Sequence, residues 1–394
     1  SYHEGLQYWV PDMRIAQIAP LDCRIPPKKS GGTERVISAL TEELVKRGHE
    51  VTLFASGDSK TSARLISVSP TALSSRETKE KQNKIFDIYE HNAMNILNIG
   101  TAYRMQDEFD MIHDHTSQNY PASLALANSS STPVVITLHG AFTKSTTTLF
   151  SFFNNPYYVS ISKTQAKAAP HLTYMGNVYH GLNMEHFPFK AHSKGYLLFS
   201  GRISVEKGVH HAIRVAKILN LPLIIAGSVD SNYKSYMRDK ILPHLSDQIR
   251  WVGEVDEKKR NSLMSNALCL LHPVTWPEPF GLSMIEAMAC GCPVIAYSIG
   301  SIPEIVVPGK TGFVVRTISD MVKAVQKVHT IDRLSCRTLA LNKFSVKNMV
   351  DGYEAIYNRI LSDHKEKFIR APKTLRPINA NGKLRNGNGL YLHE

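Results

Sequence analysis

Strand-sized apolar runs alternate with segments of helical period along most of this chain. The alternation begins at Met13 and starts again at Tyr196. A helix between successive strands makes the strands parallel, and the crossover connections are then right-handed. The sequence therefore predicts an α/β chain with two doubly wound parallel-sheet domains, each Rossmann-like.

The same pattern divides the chain into five segments. Residues 1–12 precede the first strand and are interpreted as an N-terminal extension or tag. Residues 13–190 are predicted to form the first domain and 191–345 the second. Residues 346–371 should form a C-terminal helical region. Residues 372–394 are rich in Asn, Gly and Lys, which predicts a disordered tail.

Composition narrows the class of protein. The formal net charge is +12, which favours an anionic small molecule, an anionic membrane face or nucleic acid as partner. No nucleic-acid-binding motif is visible, so we expect no nucleic-acid partner. No apolar run reaches the ~20 residues of a membrane span, and the five cysteines form no CxxC pair. A cytoplasmic protein with reduced thiols is expected.

The segment 273–294 contains two carboxylates, Glu278 and Glu286, eight positions apart across the predicted start of an Ala- and Met-rich helix. A spacing of eight rotates the second side chain by only about 80°, so both can face one cleft. The amides of Phe280, Gly281 and Leu282 would lie at the helix N-terminus, which favours a phosphate. Alternatively, Glu278 complements the helix dipole and Glu286 pairs with a lysine inside the protein.

Arg202 and Lys207 flank the end of a predicted strand and the beginning of a helix. An arginine fork and a lysine charge near one point could neutralise a diphosphate without a metal. A solvated basic turn paired with Glu206 is the alternative. The chain has no Asp-x-Asp pair, and strand alternation should turn His113 and His115 to one face and Asp114 to the other. No divalent metal site is expected.

The first half contains two weaker signals. Gly31 and Gly32 follow the first strand and open a helix, which resembles phosphate-binding geometry in outline, although no GxGxxG motif is present. His139 follows a later strand, at the edge where doubly wound sheets place ligands. A histidine in that position can be structural as readily as functional.

Together these motifs resemble a known family. The segments EPFGLSMIEAMACGCPVIA, SGRISVEKG and IPEIVVPGKTGFVV are similar to the carboxyl-terminal half of the family 4 glycosyltransferases, and PPKKSGGTERV, IHDH and LHG resemble the amino-terminal half. The resemblance runs from about Met13 to Ser362. It implies the GT-B fold, in which the two domains face each other across a cleft and the helical region 346–371 crosses back to the first domain. It also implies a retaining enzyme that uses a nucleotide-activated sugar.

The resemblance also implies roles for individual residues. Glu278 and the amides of Phe280, Gly281 and Leu282 would hold the sugar hydroxyls and the phosphate, and Glu286 the ribose hydroxyls. Arg202 and Lys207 would hold the leaving diphosphate. His139 would contact the sugar near its primary hydroxyl, and Gly31 and Gly32 would approach the phosphate. The base would lie near four residues: Gly227, Ser228, Val252 and Gly253.

The functional expectation is transfer of a sugar, glucose as first guess, from a UDP-sugar to a hydroxyl of a glycan, a lipid-linked glycan or a small molecule. Apart from the UDP-sugar, no cofactor or metal is expected. The acceptor chemistry allows peripheral contact with the inner face of a membrane. One alternative is a nucleotide-sugar epimerase or a phosphorylase on the same frame. A different class of alternative is a non-catalytic binder of polysaccharides or sugar nucleotides.

Overall fold

The computed structural model describes residues 12–29, 31–75 and 84–370, which form two parallel sheets with helices packed on them. The predicted tail (372–394) and nearly all of the predicted N-terminal extension (1–12) lie outside these residues. The seven-stranded sheet of the first domain has the order β3-β2-β1-β4-β5-β6-β7, and the six-stranded sheet of the second has the order β10-β9-β8-β11-β12-β13. The two doubly wound domains expected from the sequence are confirmed.

The strands are short and those at the sheet centres are buried, as expected for parallel sheets covered on both faces. Their bounds are β1 (Arg14–Ile18), β2 (Glu50–Phe54), β3 (Arg64–Ile66), β4 (Met111–Asp114), β5 (Val134–Thr137), β6 (Tyr157–Ser160), β7 (Tyr174–Asn177), β8 (Leu197–Ser200), β9 (Leu223–Ala226), β10 (Ile249–Trp251), β11 (Cys269–His272), β12 (Val294–Tyr297) and β13 (Gly312–Val315).

The helices connect these strands and turn apolar faces toward them. In α1, for example, Val36, Ile37, Leu40 and Leu44 are buried at helical spacing. The bounds are α1 (Gly32–Lys46), α2 (Lys84–Arg104), α3 (Ser123–Ser129), α4 (Lys144–Phe152), α5 (Lys163–Ala168), α6 (Val209–Leu219), α7 (Lys234–Tyr236), α8 (Glu257–Asn266), α9 (Leu282–Ala289), α10 (Ile302–Ile305), α11 (Ile318–Lys327), α12 (Arg333–Lys343) and α13 (Val346–Arg370).

Two local features differ from the sequence prediction. A single helix is predicted over 233–242, but the segment Ser231–His244 combines the single turn α7 with 3-10 and π turns. Pro243 lies in the last of these turns, and proline disfavours a continuing α-helix there. The pattern also does not predict α4 and α5. Both are short, and Ser- and Thr-containing segments give a weak helical signal.

The strand orders place the ligand-binding edge of each sheet. The order reverses between β1 and β4 in the first domain and between β8 and β11 in the second. A crevice opens at the carboxyl ends of the strands where such a reversal occurs. The loops after β1, β8 and β11 carry Gly31, Lys207 and Glu278, so residues distant in sequence meet at the two facing crevices.

Helix α13 crosses back onto the first domain. Its Tyr353 and Tyr357 are fully buried, and the Tyr357 hydroxyl lies 2.6 Å from Nδ1 of His113 on β4. On the outer side, Arg47 beyond α1 donates to Glu354 at 2.7 Å. These contacts attach the C-terminal part of the chain to the domain that contains the N-terminal part. Among the described helices, none is long and apolar enough to cross a membrane.

Candidate functional site

A cleft between the two domains contains a cavity of about 340 Å³ that adjoins a second cavity of about 370 Å³. Both are lined by Gly201, Arg202, Lys207 and Arg260, which makes them two parts of one site. Ten of the predicted site residues line the first cavity: Gly31, Gly32, His139, Arg202, Lys207, Glu278, Phe280, Gly281, Leu282 and Glu286.

The N-terminus of α9 forms the floor of the cavity on the second-domain side. Gly281 precedes the helix in a left-handed conformation with φ of 96°. A Cβ atom there would lie 2.6 Å from Cε of Met284 and 3.5 Å from Oε2 of Glu278. The positive φ therefore favours glycine at this turn, and its small size leaves the first amides of the helix accessible to an anion.

Glu278 is buried between two basic side chains. The Lys207 ammonium donates to Oε1, and Nε2 of His272 lies 2.7 Å from Oε2. Burial by itself would raise the pKa of Glu278, but the charges of His272 and Lys207 outweigh it and lower the pKa to about 2. The carboxylate is therefore ionised at neutral pH, with both oxygens engaged.

Arg202 lies at the mouth of the cleft, more exposed than Lys207. Its guanidinium is 3.3 Å from Glu206 and 3.4 Å from Asp230, and it lies over the ring of Tyr233. The pairing with Glu206 that the sequence offered as an alternative is present, and Arg202 also lines both cavities. Loose pairs at an exposed position contribute little, so Arg202 can turn to a ligand at small cost.

Glu286 lies deeper, inside α9. Its Oε1 atom accepts from Arg260 of α8 at 3.0 Å and lies 2.6 Å from Nη2 of Arg35. Burial would raise the pKa of Glu286, and the two guanidinium groups reverse that effect and lower it. The alternative pairing expected from the sequence was with a lysine, whereas the partners are two arginines, one of them from the other domain.

The first domain contributes the opposite wall. Gly31 caps α1 with φ of 139°, and a Cβ there would lie 2.9 Å from Pro27. Glycine therefore allows the backbone to turn into the cleft at this point. His139 follows β5, and its ring stacks on that of His180 with 5.1 Å between the centroids.

A row of buried polar side chains leads from His139 to α13. Nε2 of His139 lies 2.9 Å from Nδ1 of His115, and Nε2 of His115 lies 2.7 Å from Oε1 of Gln17. The Gln17 amide reaches the Tyr357 hydroxyl at 3.5 Å, which also contacts His113. As strand alternation predicts, His113 and His115 share one face, with 4.0 Å between their rings.

Burial keeps these histidines neutral. It lowers the pKa of His139 to about 3 and lowers the pKa values of His113, His115 and His180 well below their ordinary range. Within the described part of the chain, Nδ1 of His139, Nδ1 of His180 and Nε1 of Trp276 are buried without a hydrogen-bond partner. All three belong to side chains that line the first cavity.

Only two of the four residues predicted to surround the base line one of the two cavities. Gly227 and Ser228 line the second cavity, whereas Val252 and Gly253 line neither cavity. The carbonyl of Gly253 accepts from the Gly227 amide at 2.8 Å, which draws this loop against the end of β9. The next two residues of the chain, Glu254 and Val255, do line the second cavity.

Sequence reasoning did not identify five residues of the site: Arg35, His180, Arg260, His272 and Trp276. His272 ends a strand, a position that signals a ligand-facing side chain in a doubly wound sheet. Arg35 and Arg260 lie on predicted helices whose other basic residues face solvent, so nothing in the pattern separates them. Within the ranges 12–29, 31–75 and 84–370, no group of three or more His, Cys, Asp or Glu side chains could hold a metal ion.

Two family models match the chain. The model described as Glycosyltransferase Family 4 matches residues 30–174, and the model described as Glycosyl transferases group 1 matches residues 184–336. Each match falls on one of the two sheet domains.

Individual relatives are more distant. A phosphatidyl-myo-inositol mannosyltransferase of Mycobacterium tuberculosis is 24% identical over 77% of this chain and 82% of its own. An uncharacterised 41.2 kDa protein in the cps region of Klebsiella pneumoniae is 32% identical, but the match covers 41% of this chain and 45% of that protein.

Solved structures share the fold. Sucrose-phosphate synthase of Thermosynechococcus elongatus superposes with a TM-score of 0.66 at 20% identity, covering 90% of this chain and 99% of its own. Anabaena HepE, solved with UDP-glucose, superposes with a TM-score of 0.61 at 18% identity, covering 89% and 100%. At these identities the likeness establishes the two-domain GT-B architecture.

Proposed function

This chain is a glycosyltransferase of the GT-B fold with a family 4 domain followed by a group 1 domain, and on that premise we propose a specific reaction for it. It transfers a sugar from a UDP-sugar, glucose being the first choice, with retention of the anomeric configuration. The acceptor is a hydroxyl group of a glycan, a lipid-linked glycan or a small molecule. The reaction proceeds without a metal ion.

One observation carries the proposal: the Lys207 ammonium, the Arg202 guanidinium and the N-terminus of α9 converge on a single cavity that extends into a second one. These three groups provide the positive charge that a diphosphate requires. The volumes of about 340 and 370 Å³ lie in the range of small-molecule sites, and a nucleotide can extend from one into the other.

The leaving group is stabilised more than the substrate is. As the bond between the anomeric carbon and the phosphate oxygen lengthens, negative charge grows on the diphosphate beside Lys207, Arg202 and the helix N-terminus. Lys207 and the helix N-terminus already face the cavity and need little reorganisation, and Arg202 can turn from its loose pairs to the diphosphate at small cost. All three groups therefore lower the barrier as the charge develops. The acceptor oxygen then bonds the anomeric carbon on the face that the phosphate leaves, and the phosphate oxygen takes the acceptor's proton.

Glu278 supports this reaction by binding rather than by attack. Both of its oxygens are engaged, one by Lys207 and one by His272. The two-step scheme of retaining glycoside hydrolases needs two carboxylates about 5 Å apart. Glu278 and Glu286 are eight residues apart on either side of the start of α9, each held by its own cations, which does not suit that scheme.

The choice of UDP and glucose is supported by analogy. Anabaena HepE has been solved with UDP and glucose and with UDP-glucose. Starch synthase IV of Arabidopsis thaliana, a neighbour with a TM-score of 0.64, was solved with ADP and acarbose. The base therefore varies among proteins of this fold, and Gly227 and Ser228 are the residues here that would contact it.

The acceptor side is supported by charge and by relatives. The chain carries a net charge of +12, and the mycobacterial relative is named for a phosphatidylinositol acceptor. An anionic glycan or lipid headgroup would be attracted to such a surface. We place the enzyme in the cytoplasm, at the inner face of a membrane when its acceptor is lipid-linked.

Two measurements test the proposal. Thermal shift with UDP, GDP and ADP shows which base is bound, because a ligand specific for the folded state raises Tm. Release of UDP from UDP-glucose only in the presence of an acceptor distinguishes transfer from epimerisation and from simple binding. The exposed Lys323→Ala variant serves as a control for Lys207→Ala. Equal turnover in the two variants would refute the role of Lys207.

A further inference from the structure

Arg35 connects the two domains at the donor side of the cleft. It belongs to α1 of the first domain, yet Nη2 lies 2.6 Å from Oε1 of Glu286 and 2.9 Å from Oε2 of Glu257 in the second domain. Only 11% of the Arg35 side chain and 3% of the Glu286 side chain are exposed. The pair is therefore largely shielded from solvent and from salt.

A second cation contacts the same oxygen from within the second domain. Arg260 of α8 donates to Oε1 of Glu286 from Nη2 at 3.0 Å and from Nε at 3.2 Å. This contact lies within the second domain, so a separation of the two domains would leave it in place. The Arg35 contact joins the two domains, so the same separation would break it. Glu286 would then have one cation in place of the two that it has in this structure.

All three of these contacts are to Oε1. A carboxylate has about four acceptor positions on its two oxygens, so Oε2 can accept hydrogen bonds from a ligand. Two guanidinium groups on Oε1 would hold the carboxylate plane in one orientation. With Arg260 alone the side chain has more rotational freedom, and an acceptor that is not held in place binds less tightly.

We propose that Arg35 is a positioning residue that couples closure of the cleft to nucleotide binding, by holding Glu286 from the opposite domain. The inference rests on the proposed function, in which Glu286 receives the ribose hydroxyls of the donor. Coupling is reciprocal: if closure strengthens nucleotide binding, bound nucleotide favours closure by the same factor. Binding of the donor's ribose at Glu286 would thereby favour closure of the cleft around the sugar that is transferred.

The test compares Arg35→Met with Arg260→Met. Both variants remove one guanidinium from the same carboxylate oxygen, but only Arg35 crosses the cleft. The affinities of UDP, GDP and ADP are measured by calorimetric titration. The radius of gyration is then measured by small-angle X-ray scattering with the protein saturated by the nucleotide that binds most tightly. We expect Arg35→Met to weaken nucleotide binding on the order of 10-fold. It should also leave the protein more expanded than the wild type at saturation.

Arg260→Met should weaken binding while the saturated protein stays as compact as the wild type. Arg35→Lys keeps the charge but lacks the fork that spans two carboxylates, so its affinity should fall between those of the wild type and Arg35→Met. This variant keeps the inference testable if Arg35→Met fails to fold.

The outcomes are separable. If the wild-type protein binds none of the three nucleotides, the proposed function is wrong. If it binds one of them and Arg35→Met has the same affinity and the same radius of gyration, the proposed function stands and the role of Arg35 is wrong. Weaker binding without expansion would restrict Arg35 to a local contact and overturn the coupling.

Discussion

His139 and His115 share a hydrogen bond across the ends of two neighbouring strands, with 2.9 Å between Nε2 and Nδ1. One nitrogen of His139 is therefore engaged inside the protein, whereas Nδ1 is buried without a partner among the described residues, in a side chain that lines the first cavity. Because burial lowers its pKa to about 3, the ring is neutral at physiological pH, and it would offer the proposed donor sugar a hydrogen bond rather than a charge.

Acid should destabilise the protein through this buried cluster. The pKa of His139 is about 3 when folded and 6.5 ordinarily, so between these values the unfolded chain binds a proton that the folded chain does not. Stability is complete above pH 6.5 and falls as the pH falls, by about 2 kcal/mol at pH 5 for one such histidine. Urea unfolding at pH 7.5 and 5 should show a smaller loss for His139→Gln than for the wild type.

The exposed His192 provides the control for this measurement, since His192→Gln removes an imidazole that solvent already surrounds. The free energy of unfolding of His192→Gln should decrease between pH 7.5 and pH 5 by the same amount as that of the wild type. An identical pH response of His139→Gln and the wild type would contradict the buried, neutral state of His139.

The helix N-terminus depends on Gly281. An added Cβ would meet Met284 at 2.6 Å, and φ of 96° is unfavourable for any residue with a side chain. Gly281→Ala should destabilise the fold by about 1–3 kcal/mol and lower donor affinity, as measured by urea unfolding and by nucleotide titration.

Gly100 is the matched glycine for that substitution. It lies in α2, and a Cβ there would meet no atom within 4 Å. Gly100→Ala should stabilise the protein by about 0.5–1 kcal/mol, because alanine favours helix and loses less backbone entropy. If both variants shifted stability in the same direction, the steric account of Gly281 would be wrong.

Several features of the site were predictable because they depend on local periodicity. The eight-residue spacing of Glu278 and Glu286 predicts that both line one cleft, and they do. Strand alternation predicts that His113 and His115 share a face, and their rings are 4.0 Å apart. The sequence places Gly31 and Gly281 at the starts of two helices, and both cap those helices with positive φ.

The remaining features are long-range contacts, which no local pattern encodes. Arg35 meets Glu286 only because two separate domains close on each other, and α1 has the same periodicity whether Arg35 is exposed or buried. The prediction for Val252 and Gly253 depended on the course of a loop after β10. Its position is determined by a backbone hydrogen bond to Gly227, and a sequence does not show such a bond.

The Lys207–Glu278 pair should be strongly coupled. Glu278→Gln removes the charge that balances a largely buried Lys207 and the neighbouring His272, which should cost about 3 kcal/mol of stability. The double variant, Glu278→Gln with Lys207→Met, should lose less free energy of unfolding than the sum of the losses in the two single variants. The reason is that the double variant no longer contains an unpaired Lys207. Urea unfolding of the four proteins gives the coupling energy, and additive effects would show that the pair contributes no net interaction.

The role proposed for Arg202, to stabilise the leaving diphosphate, predicts a larger effect on kcat than on the affinity for UDP. Arg202 forms ion pairs of 3.3 and 3.4 Å at an exposed position, so it can strengthen its contact as charge develops on the diphosphate in the proposed reaction. Arg202→Met should therefore lower kcat on the order of 100-fold while the Kd for UDP changes much less. Arg214→Met, an exposed arginine of α6 away from both cavities, should leave both values unchanged. Steady-state kinetics with UDP-glucose and calorimetry with UDP give the two quantities. An Arg202→Met enzyme with intact kcat and weakened UDP binding would place Arg202 in ground-state binding instead.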